Sequence, residues 1–462
     1  MTVEYRLAEH VAGLSYDDLN QAARDAASRL FLDTLASMLS GVGNGECREI
    51  AGRLIGDERG GRCTVAGRAE GVGPGTAALA NGILAHWCEW DDVHDAAGIH
   101  GSAVIFPVLL AAAEESGLAA RPEAGREFVT AAVAAYEVAA RIGLVMNANS
   151  FHGWMTTGAA AAIGAAGAAA RLLGLDAAGV LSAMGIAATG GGLSRQPLAD
   201  RTSGKNALCG LAAKNAVDAA RMAAAGIVGA PNFFAGVYGI SALHAGGKAD
   251  IAPLLDDLGE RFLITDAGVK AYPSCRSTHP SIDLMLDLLA ERPGIGVEVE
   301  SVAFTVPDLP FALCGRPFTP GDNPRVSAQF STPFTAASAL IRGAITPQDF
   351  LPDNVLAFAD DHGALIRAIT VAAADPPIGA QKTVPAKARV TLKSGEVIDR
   401  VTDRIKGSVL RPLTHDEEWQ KLRAASAGLL DEAECERLRA ASVGLSDAGP
   451  APALQILRSV EH

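Results

Sequence analysis

Residues 86–100 concentrate side chains that could move protons. The stretch reads HWCEWDDVHDAAGIH and holds three of the ten histidines and four carboxylates, with no lysine or arginine. Imidazole and carboxylate groups close together are typical of general acid–base catalysis. We therefore interpret Asp92, His94 and His100 as candidate active-site residues. The alternative is a polar helix end whose carboxylates face water.

The helix before this stretch is predicted to position it. In TAALANGILAHWCEW, Leu79, Ile83 and Trp87 recur at i, i+4 and i+8 and predict one buried face. Beyond Asp92 we expect the helix to fray toward Gly98, which puts the acids and histidines on a loop. A loop held by a rigid element is a common place for catalytic side chains.

A second polar segment, 268–280, carries cations. It reads GVKAYPSCRSTHP and includes Lys270 and Arg276. Pro280 suits the first turn of the following helix, which leaves His279 near a helix N-terminus that could hold a carboxylate. The alternative is a structural hinge with surface cations.

A third segment, the turn RTSGK at 201–205, stands at the start of a predicted helix. It resembles an anion-binding turn but lacks the GxxxxGK[ST] phosphate-loop spacing. Taken alone, Lys205 is more often a solvated lysine than a ligand.

Composition limits the possible partners. A chain of 462 residues predicts two domains, and 49% hydrophobic residues are typical of a soluble globular protein. The net charge of −13 argues against a nucleic-acid partner. An anionic substrate would need a local cationic pocket.

Cysteine usage and apolar runs predict a cytoplasmic location. The seven cysteines contain no CxxC pair, which favours reduced thiols and gives no zinc-site signal. The N-terminal segment carries acids and lacks the long apolar core of a signal peptide. The least charged run, 147–170, is too weakly apolar for a membrane span, so no membrane partner is expected.

The chain changes from helical to strand periodicity near residue 265. Alternating patterns predict strands at 297–306, 365–373 and 387–403, and helix returns at 415–442. The predicted fold is mainly α with an α+β second domain. We expect a large helical domain over 1–267, a smaller α+β domain over 268–405 and a C-terminal segment, 406–462, that returns to the helical domain.

Five segments, taken in order and spacing, resemble one enzyme family. They are EWDDVHDAAGIHGSAVIFPVLLAAAEESG (89–117), GAAAAIGAAGAAARLLGLD (158–176), GKNALCGLAAKNAVDAARMAAAGIVGA (204–230), KAYPSCRSTHPSIDLMLDL (270–288) and AQFSTPFTAASAL (328–340). On these the chain resembles the MmgE/PrpD family, which includes 2-methylcitrate dehydratases, cis-aconitate decarboxylases and iminodisuccinate epimerases. The resemblance covers nearly the whole chain. It implies a homodimer with a pocket between a helical and an α+β domain, for cofactor-free chemistry on di- or tricarboxylates.

The resemblance also implies site positions. These are Asp92, His100, Lys205, Lys270, Cys275 and His279. Met155 stands where the family often has a pocket histidine, with His152 nearby, and Gly101 stands where the family has a proline after the histidine. Cys275 takes the place of a histidine of the decarboxylases, which counts against decarboxylation.

The shared chemistry is removal of a proton from a carbon next to a carboxylate, with cations stabilising the enediolate. We expect Lys270 beside other cations to be the base. His100, oriented by Asp92, is the partner acid or the base itself. Lys205, Arg276 and the helix start at Pro280 would hold substrate carboxylates.

The leading interpretation is a cofactor-independent hydro-lyase of a di- or tricarboxylate, similar to 2-methylcitrate dehydratase. The expected catalytic residues are Lys270, His100, Asp92 and Tyr272. The expected substrate-binding residues are Asp91, His94, Lys205, Cys275, Arg276, His279 and Met155. No metal or cofactor is expected.

Four alternatives stay open. An epimerase would need proton donors on both faces of the carbon, such as Lys270 opposite His100, His94 or Tyr272. A cis-aconitate-type decarboxylase is the second alternative. Metal-assisted hydrolysis would use the cluster Asp91, Asp92, His94 and His100. A binding dimer without catalysis would follow if Met155 has ended the chemistry.

Overall fold

The computed structural model describes residues 1–149, 153–190, 194–375 and 385–460, with the side chains of 148 and 149 left out. His152 lies outside these ranges. Within them the protein is mainly helical, with one four-stranded sheet in its second half. The predicted fold class, a large helical part with a smaller α+β part, is confirmed.

Helices are the regular elements of the first half of the chain, among its described residues. Its helices are α1 Val3–Gly13, α2 Gln21–Gly43, α3 Gly45–Ile55, α4 Pro74–Trp87, α5 Ser102–Glu115, α6 Ala124–Asn149, α7 Thr156–Leu172, α8 Ala177–Thr189, α9 Gln196–Ala199, α10 Leu208–Ala224 and α11 Ile240–Ala245. Small residues let these helices approach closely: a Cβ on Gly82 of α4 would lie 2.8 Å from the Cα of Gly210 in α10. This crossing brings the end of α4 beside Lys205, just before α10.

The second part combines five helices with the sheet. The helices are α12 His279–Glu291, α13 Asp308–Cys314, α14 Pro324–Gln329, α15 Thr332–Arg342 and α16 Pro352–Ala368. The strands are β1 Val299–Val306, β2 Ile369–Ala373, β3 Ala386–Leu392 and β4 Val397–Thr402. The sheet order is β2-β1-β3-β4, with β1 parallel to β2 and antiparallel to β3. The second predicted strand begins later than expected because residues 365–368 complete α16.

The chain then returns to helix, as α17 His415–Ala425, α18 Glu432–Val443, α19 Leu445–Ala448 and α20 Ala451–Ser459. One hydrophobic core contains residues from Leu7 to Val269 and again from Leu413 to Val460. A second core contains residues from Tyr272 to Ile398. We propose domain boundaries at residues 267 and 405. The two separate hydrophobic cores support this division.

One helix, Ala124–Asn147, is long and apolar enough to cross a membrane by length and composition, but 94% of its most apolar window is buried within the protein. A central helix of a protein core meets the same description.

Candidate active site

The polar stretch after α4 forms a buried loop. The helix ends at Trp87, earlier than expected, and Glu89 turns the chain with a left-handed φ of 56°. The side chains of Glu89, Asp91, Asp92 and His94 are each exposed by 1% or less. The expected loop at the end of a packed helix is present. The alternative of carboxylates that face water is wrong, because these polar groups pair with one another and with distant residues.

Glu89 lies at the centre of the pairing. One carboxylate oxygen accepts a hydrogen bond from Lys205, and the other lies 3.4 Å from Nζ of Lys270. The Lys270 ammonium also donates to the backbone carbonyl of Glu89 at 2.9 Å. Burial alone would raise the pKa of Glu89, but Lys205 and Lys270 outweigh it and hold the pKa far below its usual value.

A second carboxylate, Asp91, connects two histidines. Its Oδ2 lies 2.8 Å from Nδ1 of His86 and 3.2 Å from Nδ1 of His100. Nε2 of His86 lies 2.8 Å from Nζ of Lys205, which can only donate. Burial opposes ionisation of Asp91, but the two histidines outweigh it and lower its pKa well below the usual value. Both acids are thus anionic inside the protein.

His100 is oriented as a base. Its Nδ1 lies 2.9 Å from the backbone carbonyl of Asp92, which can only accept, so the neutral ring carries its proton on Nδ1. Nε2 is then the unprotonated nitrogen of a side chain that lines the cavity described below. Burial lowers the pKa of His100 to about 4, although Asp91 acts in the opposite direction. The imidazole is neutral at pH 7.

The Asp92 carboxylate does not orient His100, contrary to the prediction. It accepts hydrogen bonds from the backbone N–H of Ser102 at 2.9 Å and from the hydroxyl of Tyr136 at 2.7 Å. Its side chain therefore ties the loop to the first turn of α5 and to α6. Burial, with the neighbouring Asp91, raises its pKa to about 7. The orienting carboxylate is Asp91.

A cavity of about 120 Å³ lies beside this network. Its lining includes segments from both halves of the chain: Glu89, Val93, Asp95, Gly98, His100, Asn147, Met155, Thr156, Thr157, Arg195, Leu198, Lys205, Cys275, Arg276, Ser277, Leu309, Leu313 and Phe330. A small pocket with a few convergent polar groups and shifted pKa values is a good candidate for an active site.

Several predicted residues lie at this cavity. Met155, Lys205, Cys275, Arg276 and His100 all line it. Arg276 donates to both oxygens of Asp95, at 3.0 and 2.8 Å, so its charge is already balanced. A hydrogen bond from the buried thiol of Cys314 lowers the pKa of Cys275 to about 7.

Other predicted residues do not line the cavity. The Tyr272 hydroxyl donates to Asp283 at 2.6 Å, and His279 lies at the start of α12 with its ring 5.1 Å from that of Tyr272. Nδ1 of His94 accepts the backbone N–H of Ala97 at 3.1 Å within the loop. These positions suit structural roles and give no support to Tyr272 as a catalytic acid.

Lys270 belongs to the network without lining the cavity. It is fully buried, and its ammonium lies 3.4 Å from the Glu89 carboxylate. The prediction assumed neighbouring cations, which would favour a neutral amine. Lys270 instead donates to the Glu89 carbonyl at 2.9 Å, lies 3.4 Å from the Glu89 carboxylate and does not line the cavity, so it fits a stabilising role better than that of a base.

The sequence interpretation assigned no role to several polar residues at or beside the site, among them Glu89, His86, Arg195 and Thr157. Glu89 and His86 stand inside the stretch first singled out, but neither was assigned a role. Arg195 and Thr157 line the cavity, and the Thr157 hydroxyl accepts the backbone N–H of His100 at 3.1 Å. Glu89 could have been found as an acid next to two tryptophans in a stretch without cations. Arg195 carried no comparable signal.

The residues that could hold a metal ion differ from those suggested by the sequence. Among the described residues, His86, Asp91 and His100 offer ligand atoms within 4.8 Å of one another, while Asp92 and His94 are not part of the group. Both histidines direct Nδ1 to the same Asp91 oxygen, and the Lys205 ammonium lies 2.8 Å from the other ring nitrogen of His86. A resident ammonium opposes a second cation there, so hydrogen bonding explains the cluster better.

Lys421 of α17 holds the two polar segments together. Its ammonium donates to the backbone carbonyls of Trp90 at 2.6 Å and Lys270 at 3.0 Å. Asp33 of α2 supplies a buried counter-charge at 2.5 Å. Helix α17 thus fixes the backbone next to Glu89 and at Lys270.

We expect Lys421→Met to destabilise the protein by about 3–5 kcal/mol, because it leaves Asp33 buried without a partner, and to lower kcat as well. The double variant Lys421→Met/Asp33→Asn should regain much of the stability. Its kcat should stay low because the two carbonyls still lack their donor. Urea unfolding and kcat of both variants check this; recovery of kcat together with stability would contradict a positioning role.

A large helical part, a small α+β part and a buried acid–base network beside a small cavity define an enzyme-like architecture. The model of the MmgE/PrpD N-terminal domain matches residues 5–251, and that of the MmgE/PrpD C-terminal domain matches residues 272–447. The chain belongs to the MmgE/PrpD family.

Three relatives are similar over much of this chain. The cis-aconitate decarboxylase-like protein oryM of Aspergillus oryzae is 27% identical over 450 residues, 93% of this chain and 91% of that protein. The cis-aconitate decarboxylase of Mus musculus is 25% identical over 447 residues, 93% and 88% of the two chains. That of Homo sapiens is 25% identical over 368 residues, 77% and 73% of the two chains. The chain is thus related to enzymes that act on carboxylates.

Proposed function

We propose that this protein is a cofactor-independent lyase that removes a proton from the carbon next to a carboxylate and eliminates water from a small polycarboxylate. The observation that carries the proposal is the neutral His100 oriented by Asp91 and the Asp92 carbonyl, beside a cavity that is also lined by cations. The homodimer and the cytoplasmic location expected from the sequence stay predictions.

The balance of charges favours an anionic substrate. The Glu89 carboxylate pairs with the ammonium groups of Lys205 and Lys270, and Asp95 pairs with Arg276. Asp91, beside His86 and His100, supplies a further negative charge. Arg195 adds a positive charge at the cavity without a carboxylate partner among the described residues. A buried site with surplus positive charge binds an anion more readily than a neutral molecule.

In the proposed mechanism His100 is the general base and Lys205 stabilises the enediolate. Nε2 of His100 accepts the α-proton, and the resulting imidazolium is stabilised by Asp91. The Lys205 ammonium stabilises the negative charge that develops on the substrate carboxylate as the enediolate forms. The departing hydroxide then takes a proton from the imidazolium, so that water leaves and His100 returns to its neutral form.

Decarboxylation is the second candidate, because relatives that match most of this chain are named as cis-aconitate decarboxylases or decarboxylase-like. In that reaction a carboxylate leaves as CO₂, and the carbanion left behind takes a proton from the enzyme. Epimerisation is less favoured, since Lys270, the suggested donor opposite His100, His94 or Tyr272, does not line the cavity.

Proton NMR in D₂O tests the proposal with 2-methylcitrate, citrate, cis-aconitate and iminodisuccinate, and with the hydroxy-dicarboxylates malate and 2-hydroxy-2-methylsuccinate, on protein treated with a chelator. A new vinyl signal without CO₂ release supports elimination of water. Release of CO₂ would show that the reaction is a decarboxylation. Deuterium exchange at the α-carbon without elimination would show that it is an epimerisation. No reaction across the panel would contradict the proposed lyase.

The pH dependence should report His100. Because its pKa is lowered to about 4, the base is unprotonated above that pH. We therefore expect kcat/KM to stay flat from pH 7 down to about 5 and to fall at lower pH. An ordinary histidine, with a pKa near 6.5, would already lose most of its activity at pH 5. Initial rates at constant ionic strength, with circular dichroism at each pH, check this, and a midpoint near 6.5 would contradict it.

A further inference from the structure

Arg195 is a cation that this chain leaves unbalanced at the cavity. Its side chain lines the cavity and is partly buried, yet no carboxylate pairs with it in the part of the chain that the structure describes. Burial lowers its pKa, with no opposing effect from an acid. Lys205 and Arg276, the other cations of the lining, already have Glu89 and Asp95.

The same cavity is also lined by a group of apolar residues. It consists of Leu198, Leu309, Leu313 and Phe330, joined by Met155 and Cys275. Leu198 and Phe330 are exposed by only 9% and 3% and pack in one cluster with Cys275. These side chains offer no strong hydrogen bond, so a carboxylate placed against them would lose its hydration without compensation.

We propose that Arg195 binds one carboxylate of the substrate and that the apolar group receives a hydrocarbon branch, which makes the substrate an alkyl-substituted dicarboxylate. This deepens the proposed function and rests on it for the reaction at His100. The cavity volume of about 120 Å³ lies below the range of roughly 300–1,000 Å³ that is usual for ligand pockets. The branch is therefore short.

Equilibrium binding of unreactive analogues tests the substrate class. Isothermal titration would compare succinate, 2-methylsuccinate and propane-1,2,3-tricarboxylate. We expect 2-methylsuccinate to bind about four-fold tighter than succinate, the gain for one buried methylene, and the tricarboxylate to bind more weakly than either. A tricarboxylate that binds as tightly as 2-methylsuccinate would overturn the proposal.

Variants separate the two parts of the site. Arg195→Gln should weaken binding of both dicarboxylates about ten- to a hundred-fold, the usual effect of losing a hydrogen bond to a charged group, whereas Arg195→Lys should retain part of it. Leu313→Ala should weaken 2-methylsuccinate more than succinate. Arg316→Gln, an exposed arginine outside this cavity, is the matched control and should change neither.

The binding results do not depend on turnover. If the analogues bind as expected but the wild-type protein turns over no polycarboxylate, the proposed function fails and the anion site stands. If turnover occurs but Arg195→Gln binds succinate as well as wild type, the assignment of Arg195 fails and the lyase stands.

Discussion

Replacement of His100 by glutamine should lower kcat by about 10²–10⁴-fold, the usual contribution of a general base, while leaving the free energy of unfolding almost unchanged. Glutamine keeps an uncharged polar side chain of similar size but offers no basic nitrogen to the cavity. Because the base acts in the transition state and not in binding, KM should change little. Steady-state kinetics and thermal unfolding of the same preparation measure both effects.

His94→Gln is the matched control for this variant. His94 stands in the same loop but is 1% exposed, bonds within the loop and does not line the cavity. Its replacement should lower the free energy of unfolding but leave kcat of the folded protein nearly unchanged. A folded His100→Gln that keeps a tenth or more of wild-type turnover would contradict the role of His100, and so would an equal loss of kcat in a folded His94→Gln.

The fold class could be predicted because it depends on local patterns. Helical periodicity up to residue 265 and strand alternation after 297 reflect burial on one face of each element, which the sequence records directly. The polar stretch at 86–100 could be found for a similar reason, since its composition differs from the apolar helices around it.

The roles within the stretch could not be predicted because they depend on long-range pairing. Neighbouring Asp91 and Asp92 are alike in sequence, but one accepts from two histidines and the other from Ser102 and Tyr136. Periodicity does not show which acid meets which donor. Arg195 was missed for the opposite reason, since its importance comes from a partner that is lacking among the described residues.

Glu89→Gln should have the largest effect on stability, because Glu89 is the counter-ion of two buried lysines. Removal of one partner from a buried ion pair costs about 3–5 kcal/mol, and here both Lys205 and Lys270 lose theirs. Glutamine preserves the size of the side chain but brings an N–H group toward ammonium donors. We expect a fall of at least this size in the free energy of unfolding from urea titrations, together with nearly complete loss of turnover.

Glu396→Gln provides a control of the same chemistry at the surface. Glu396 pairs with Arg292 at 2.6 Å, but the two side chains are 50% and 40% exposed, so its replacement should change the free energy of unfolding little. Glu89→Asp keeps the charge on a shorter side chain, so it should be more stable than Glu89→Gln. Its turnover should stay low, because the carboxylate no longer reaches both lysines. If Glu89→Gln proves no more destabilising than Glu396→Gln, the carboxylate is not the centre that holds the two lysines, and the charge balance proposed for substrate binding fails with it.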